Sequence, residues 1–201
     1  MNRSTFPRFV AVGVLALGVL VTAALPASAS TRAVGPESTE RAGPASAGTS
    51  MDGLAGSVLS VRGAGPYRIG ASLQALQEAG LIGWVAPPQE CDVVFTGVTG
   101  EWSGALILAF RAGRLVEVGT ATTPPRSPAG ASVGMGWSQL EDIYGHRGHL
   151  ISNNDGEQAY LVRIGSRVEL YTAHPIREGV GYFQAGPANF VLNNFRGESV
   201  C

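Results

Sequence analysis

The residues best suited to metal chemistry are three histidines in the second half of the chain. His146 and His149 lie three positions apart in "GHRGHL", a spacing from which two imidazoles can reach one ion. His174 and Asp155 are the remaining candidate ligands. The pair follows a predicted helix, whose C-terminal end favours such side chains, and no Glu or Cys accompanies it at motif spacing. We therefore predict no metal site and no cofactor.

The serines and carboxylates give no clear hydrolase site. The letters Gly-x-Ser-x-Gly occur at residues 130–134, but a proline-rich segment precedes them rather than the predicted strand that a nucleophile elbow requires. Ser138, Ser152 and Ser166 fall in predicted turns or helix caps. A carboxylate pair for glycoside hydrolysis would have to come from Asp155, Glu157 or Glu169. Acidic residues on a strand face are ordinarily exposed to solvent. We predict no catalytic residue, and a secreted hydrolase is the third function considered.

Two of the three tryptophans favour recognition of a partner. Trp84 and Trp102 lie in loop-like segments rather than in periodic apolar runs. Exposed tryptophans commonly anchor a binding partner. Polar turns that contain Asn153 and Asn154 would form the rim of such a contact. The alternative is that both tryptophans cover the ends of the core.

The N-terminal segment has the pattern of a signal peptide over residues 1–29. Arg3 and Arg8 precede an apolar run over residues 10–25, and Ala27-Ser28-Ala29 has the small-x-small form of a cleavage site. The run is shorter than the roughly 20 residues of a spanning helix, so a retained anchor is the weaker alternative. Residues 30–56 form a flexible linker by composition, and residues 57–201 a single domain.

Export makes the two cysteines candidates for a disulfide. Cys91 and Cys201 would close a loop of about 110 residues, worth on the order of 4–5 kcal/mol in the chain-entropy model. Two free thiols that serve redox or metal chemistry are the alternative. We expect a secreted, extracellular protein with no membrane span after signal cleavage.

The charge pattern argues against nucleic acid as a partner. The 14 basic residues are all arginine. Without Arg3 and Arg8, 12 positive charges face 15 negative ones, a net charge of −3. No basic stripe is present that could neutralise phosphates. Another extracellular or cell-wall protein is the expected partner, and we expect a monomer.

The hydrophobic pattern predicts two short helices, over residues 71–81 and 136–145. Apolar residues recur at helical spacing in both. Ser72 is placed to cap the first helix, and Ser138 with Glu141 resembles a capping box in the second. The predicted strands span residues 104–110, 113–121, 158–164, 167–173, 179–186 and 188–195. Clean alternation in residues 167–173 predicts an antiparallel sheet with one buried face.

The two helical segments echo one another at an offset of 64 residues. "RIGASLQALQEAGL" (68–81) aligns with "SVGMGWSQLEDIYG" (132–145) so that Gly70 falls on Gly134 and Leu76 on Leu140. Each segment is followed by strands. This predicts an α+β fold in which short helices pack on an antiparallel sheet, in two tandem helix-plus-strands units over about 66–121 and 130–201. Chance similarity is the alternative.

The helix start "SVGMGWSQLEDIYG" resembles that of small exported bacterial proteins, the β-lactamase inhibitor protein family and the small outer-membrane-assembly lipoproteins. Their fold pairs a short helical segment with an antiparallel sheet, and the inhibitor has two such units in tandem. The resemblance implies a non-enzymatic protein-binding module. The inhibitor has a disulfide within each unit, whereas this chain has one cysteine in each half.

The residues and the resemblance together favour a secreted, non-catalytic protein-binding or inhibitor-like module. A cell-wall or polysaccharide-associated binding protein that uses exposed aromatic side chains is the second function considered.

Overall fold

The computed structural model describes residues 57–199, and strands account for much of this range. In chain order they are β1 (Leu59–Ser60), β2 (Gly63–Ala64), β3 (Tyr67–Arg68), β4 (Ile82–Val85), β5 (Val93–Val98), β6 (Ile107–Arg111), β7 (Arg114–Thr120), β8 (Gly148–Ser152), β9 (Gln158–Ile164), β10 (Arg167–Ala173) and β11 (Val180–Pro187). The signal peptide and linker predicted over residues 1–56 lie outside the described residues, as does Cys201.

Strands β4 to β11 form one antiparallel sheet in the order β4-β5-β6-β7-β11-β10-β9-β8, and β1 to β3 form a small separate sheet. Each half of the large sheet is a meander of four strands. The halves meet where β7 pairs with β11, with Gly119 opposite Gln184. The predicted α+β class is confirmed, with more sheet than helix.

Two helices precede the two meanders, α1 (Leu73–Glu78) and α2 (Trp137–Tyr144). The Ser72 cap is confirmed, because Ser72 Oγ accepts a hydrogen bond from Ala75 N at 3.5 Å. The predicted capping box is wrong. Since α2 begins at Trp137, it is Gln139 whose Oε1 accepts from Gly136 N, at 2.9 Å.

Helices α1 and α2 pack against one main core. Leu76 and Leu140 enter it from the helices, beside Phe110, Tyr171 and Phe183 from the sheet. We call this side of the sheet the helix face. Each helix has only two turns or less, so burial of these side chains, rather than intrinsic propensity, holds it in place.

The segment 188–195, predicted as a strand, is helical. It forms α3 (Ala188–Arg196), which packs on the side of the sheet opposite α1 and α2, here called the α3 face. The buried residues Ala188, Val191 and Leu192 have helical spacing, which brings them to one side of α3. Gly197 ends the helix with a left-handed φ of 68°.

The expectation of one buried face is also wrong for β10. Val168 and Leu170 pack under α3, while Glu169 and Tyr171 are buried on the helix face. Because helices cover both sides of this strand, Glu169 is 1% exposed rather than solvated. Among residues 57–199, no helix combines the length and apolar character needed to cross a membrane.

Candidate functional site

One row of cross-strand neighbours crosses the α3 face through all eight strands. Its members are Trp84, Gly97, Ile107, Gly119, Gln184, Leu170, Leu161 and His149. Leu170 and Leu161 are buried in the cluster that α3 forms with the sheet. Trp84 and Ile107 are 52% and 37% exposed. The row is therefore buried at Leu170 and Leu161, and its Trp84 end is exposed.

We call the exposed end the open patch and define it by Trp84, Phe95, Ile107 and Tyr182. Phe95 and Tyr182 are half-buried and lie on the same side of their strands as Gly97 and Gln184, two residues away. All four side chains therefore point to the α3 face. Together they form an apolar and aromatic surface over strands β4 to β7 and β11.

Glycines let the aromatic rings of the open patch lie directly on the sheet. A Cβ atom at Gly97 would overlap with the indole of Trp84, and one at Gly119 would overlap with the phenol of Tyr182. A glycine within a strand often marks such a close approach. Trp84 lies in β4 rather than in a loop, and it combines a fixed ring with a half-exposed surface.

The expectation that Trp102 is exposed is wrong. Trp102 is 5% exposed and belongs to the main core. It ends a short 3₁₀ helix (Gly100–Trp102), and its indole lies against Gly65 of the β2–β3 turn. Trp102 therefore covers the end of the core, as the alternative interpretation held. Only Trp84 keeps the exposure that an anchor needs.

A buried carboxylate borders the open patch and was missed in the sequence. Glu117 on β7 is 2% exposed. The amide of Gln184 is assigned with its nitrogen toward Glu117, where it donates to both carboxylate oxygens at 2.9 and 3.0 Å. Tyr182 donates a further hydrogen bond. Burial raises the pKa of Glu117 to about 7, and the bond from Tyr182 opposes the rise. The only signal in the sequence is an acid inside the apolar run "RLVEVGT".

Asn153 and Asn154, the expected rim of a binding surface, hold the end of α3. Asn153 Nδ2 donates to Phe195 O at 3.3 Å, and Asn154 Nδ2 donates to Arg196 O at 3.0 Å. Asn153 Oδ1 also accepts from Glu157 N at 2.8 Å within the β8–β9 turn. Both side chains are thus engaged in the fold, away from the open patch.

The histidines do not converge. His146 and His149 are exposed, the first in a 3₁₀ turn after α2 and the second in β8. His174 follows β10, where its Nδ1 accepts from Ile176 N at 3.2 Å. Within residues 57–199 no group of three or more His, Cys, Asp or Glu side chains is arranged to hold a metal ion.

The candidate glycosidase carboxylates lie in different places. Asp155 and Glu157 are exposed in the β8–β9 turn, while Glu169 is buried below α2. Glu157 and Glu169 line separate cavities. The arrangement that acid–base hydrolysis requires, two carboxylates on either side of one cavity, is not formed by these three residues.

Glu169 instead belongs to a cluster of buried hydroxyl groups. The Tyr144 hydroxyl lies 2.6 Å from Glu169 Oε2, 2.7 Å from Ser127 Oγ and 2.7 Å from the Tyr171 hydroxyl. A phenol has one proton, and a carboxylate is its strongest acceptor, so Tyr144 donates to Glu169 and Ser127 donates to Tyr144. The proton of Tyr171 is shared between the Tyr144 oxygen and Glu169 Oε2, which lies 3.3 Å from the Tyr171 hydroxyl. Burial raises the pKa of Glu169 above its usual value, and the bonds from Tyr144 and Tyr171 oppose this.

Cys91 lies beside the C-terminal end of the described chain. It is half-buried in a 3₁₀ turn (Glu90–Asp92), with a left-handed φ of 60°. Its Sγ is 4.0 Å from Ser199 Oγ. Ser199 is two residues from Cys201, which lies outside the described residues.

Comparisons with known proteins give only weak structural likeness. No family model and no curated protein matches the chain. A cysteine-rich secretory protein from Staphylococcus aureus subsp. aureus Mu50 is similar with a TM-score of 0.37 and 11% sequence identity. The alignment covers 62% of this chain and 46% of that one, so this chain spans less than half of that structure. We base no conclusion about fold or function on this likeness.

Proposed function

We propose that the protein is a secreted, non-catalytic protein-binding or inhibitor-like module, and that the open patch contacts the partner protein. One observation supports this most strongly. Trp84 and Ile107 are exposed on a sheet face of which the chain's own helix α3 closes only another part. Large apolar side chains gathered on one face of a sheet are typical of interaction surfaces.

The part of this face that α3 covers indicates what chemistry the open patch accepts. There α3 places Phe190, Val191 and Leu192 on the sheet. We expect the partner to offer a similar apolar segment to the open patch, with Trp84 as the central contact. Because the indole already rests on Gly97, little side-chain freedom is lost on binding.

The same geometry favours a protein over a polysaccharide as the partner of the open patch. A sugar ring that stacks on an aromatic side chain also needs polar groups nearby to bind its hydroxyls. The polar residues nearest the patch, Glu117 and Gln184, are buried and hydrogen-bonded to each other. Ile107, in the middle of the patch, is aliphatic.

We also infer that the two halves of the domain are copies of one helix-plus-strands unit. In the first half, Gly70 has a φ of 93° and begins the chain's turn into α1. Gly70 N donates to Leu115 O at 2.8 Å, and Leu115 N donates to Ala71 O at 2.9 Å. These bonds fix the start of the helix to the last strand of the same half, β7.

The second half repeats this pair of bonds at nearly the same offset. Gly134 has a φ of 87°, Gly134 N donates to Val180 O at 2.8 Å, and Val180 N donates to Met135 O at 2.8 Å. The last strand here is β11, the counterpart of β7. Helices α1 and α2 begin at Leu73 and Trp137, again 64 residues apart. This supports a tandem arrangement like that of the β-lactamase inhibitor protein family.

We further propose a disulfide between Cys91 and Cys201, formed after export. The contact between Cys91 and Ser199 supports it, since Ser199 is only two positions before Cys201 in the sequence. Intact masses with and without reductant should differ by two hydrogen atoms. Equal masses would contradict the pairing.

The binding proposal can be tested with the full secreted chain as bait in culture supernatant. We expect the wild type to retain one protein, which is then purified and titrated directly. Trp84→Ala should abolish this binding because the anchor is lost. Ile176→Ala is the matched control, since Ile176 is 86% exposed but lies in the β10–β11 turn.

Folding and binding are separated by a second measurement. Trp84→Phe keeps an aromatic ring, so it should retain weakened binding and an unchanged far-UV circular dichroism spectrum. If Trp84→Ala and Ile176→Ala bind the partner equally well, the open patch is not the interface. Retention on insoluble cell-wall polysaccharide, with no protein partner, would favour the carbohydrate alternative and contradict the proposal.

A further inference from the structure

A cavity of about 520 Å³ lies on the helix face of the second half, away from the open patch. Its walls come from α2, from strand β9 and from the loop before α2. Ile143, Val162 and Ile164 supply an apolar lining. The volume is in the range of small-molecule sites.

Glu169 gives this cavity a buried anion with unused hydrogen-bonding capacity. Its Oε2 accepts the hydrogen bonds from Tyr144 and Tyr171, at 2.6 and 3.3 Å. Its Oε1 is buried and has no hydrogen-bond partner among the described residues. A buried acceptor without a partner is costly, which points to a donor that is supplied from outside.

An exposed guanidinium lines the same cavity. Arg147 uses Nε and Nη2 to donate to Tyr144 O and Ile143 O, at 3.2 and 3.0 Å, at the end of α2. Three of its five N–H groups remain for a ligand. Arg163 also borders the cavity, but it lies opposite Val168, which packs under α3, so its side chain points to the other face of the sheet. The cavity thus combines a buried negative charge with one exposed positive charge.

We propose that this cavity binds a zwitterionic ligand of amino-acid or dipeptide size with an apolar side chain. The ligand ammonium donates to Glu169 Oε1, its carboxylate accepts from Arg147, and its side chain packs on the apolar lining. A simple cation would meet Arg147 at the mouth, and a simple anion would meet Glu169 at the closed end. A zwitterion offers each of these charges an opposite one.

The proposal is tested by calorimetric titration of the full chain with three related probes. L-Leucine has the ammonium, the carboxylate and the apolar side chain. Leucinamide lacks the carboxylate, and 4-methylpentanoate lacks the ammonium. We expect L-leucine to bind, and each analogue to bind at least about tenfold more weakly, because each leaves one charged group of the cavity without its partner.

Two variants assign the binding to this site. Glu169→Gln keeps the shape but removes the charge, and should weaken L-leucine binding by about tenfold or more. Glu117→Gln is the matched control, since Glu117 is the buried glutamate on the opposite face of the sheet. It should leave the affinity within a factor of about two, as expected for a distant site.

An exposed variant keeps the test valid if Glu169→Gln fails to fold. Arg147→Gln should weaken L-leucine binding and leave leucinamide binding unchanged, because leucinamide has no carboxylate. The proposal is overturned if neither L-leucine nor leucyl-leucine binds, in which case a water molecule suffices for Glu169. Equal affinity for L-leucine and leucinamide would overturn it as well. Since the open patch lies on the other face, neither result affects the proposed function.

Discussion

Two parts of the α3 face differ in what covers them. Phe190, Val191 and Leu192 of α3 cover one part, which includes Leu170 of the second half and Val93 and Ala109 of the first half. Along the cross-strand row that contains Leu170, the described chain leaves Trp84 and Ile107 exposed. One sheet face is therefore closed by the chain's own helix in one part and open in another.

The difference shows how a small sheet can be both stable and available for binding. A sheet with two apolar faces needs a cover on each face. Here the chain's own helix covers one part of the α3 face, and we interpret the open patch as the surface that a partner covers. Polar contacts at the boundary, centred on Glu117 and Gln184, separate the two regions.

The largest expected effect is on the free energy of unfolding, and it distinguishes a side chain under α3 from one in the open patch. Phe190→Ala should lower the free energy of unfolding by about 3–5 kcal/mol, because it leaves a cavity under α3. Ile107→Ala should cost only about 1 kcal/mol, since its side chain is partly in water already. Denaturant unfolding measures both. Equal losses of unfolding free energy would mean that the open patch is packed as tightly as the part of the sheet under α3.

The next effect is the pH dependence at the boundary. The pKa of Glu117 is raised from 4.5 to about 7, so the folded state holds a proton that the unfolded state releases. Stability is therefore fully present below about pH 4.5 and falls as the pH rises to about 7, by up to about 3 kcal/mol.

Glu117→Gln isolates this contribution. It has no proton to release, so the difference in unfolding free energy between the variant and the wild type should change across this pH window. Other carboxyl groups contribute equally to both proteins and cancel. A constant difference from pH 4.5 to 7.5 would show that Glu117 is ionised throughout.

The smallest effect on the free energy of unfolding concerns the Trp84 indole in the open patch. Gly97→Ala would force the Trp84 indole off the sheet, at a cost of about 1–3 kcal/mol. In a Trp84→Ala background the same change should cost little. A double-mutant cycle on unfolding free energies measures this coupling. Additive losses would mean that the indole does not rest on Gly97.

Local signals predicted the helices that begin each half. Gly70 and Gly134 both have positive φ values, and Ser72 caps α1, which are properties of a few neighbouring residues. The α+β class and most strands of the second half also follow from local periodicity. These features need no knowledge of what lies across the sheet.

The features that the sequence did not predict depend on contacts between residues that are distant in the sequence. Residues 188–195 fit a strand pattern until their burial below α3 is known, and Trp102 resembles a loop residue until Gly65 packs on it. Glu169 was expected to be solvated because nothing in "RVELYTA" shows that α2 lies above it. Glu117, Gln184 and Tyr182 are brought together only by the β7–β11 pairing.

The most direct test of the account compares photo-crosslinking from the two exposed surfaces. A photoreactive residue replaces Ile107 in the open patch, or Leu150, which is 47% exposed on β8. We expect one secreted protein to be crosslinked from position 107 and not from position 150. Trp84→Ala should remove that adduct. Equal crosslinking from both positions, or an adduct that persists in Trp84→Ala, would contradict the claim that the open patch is the binding surface.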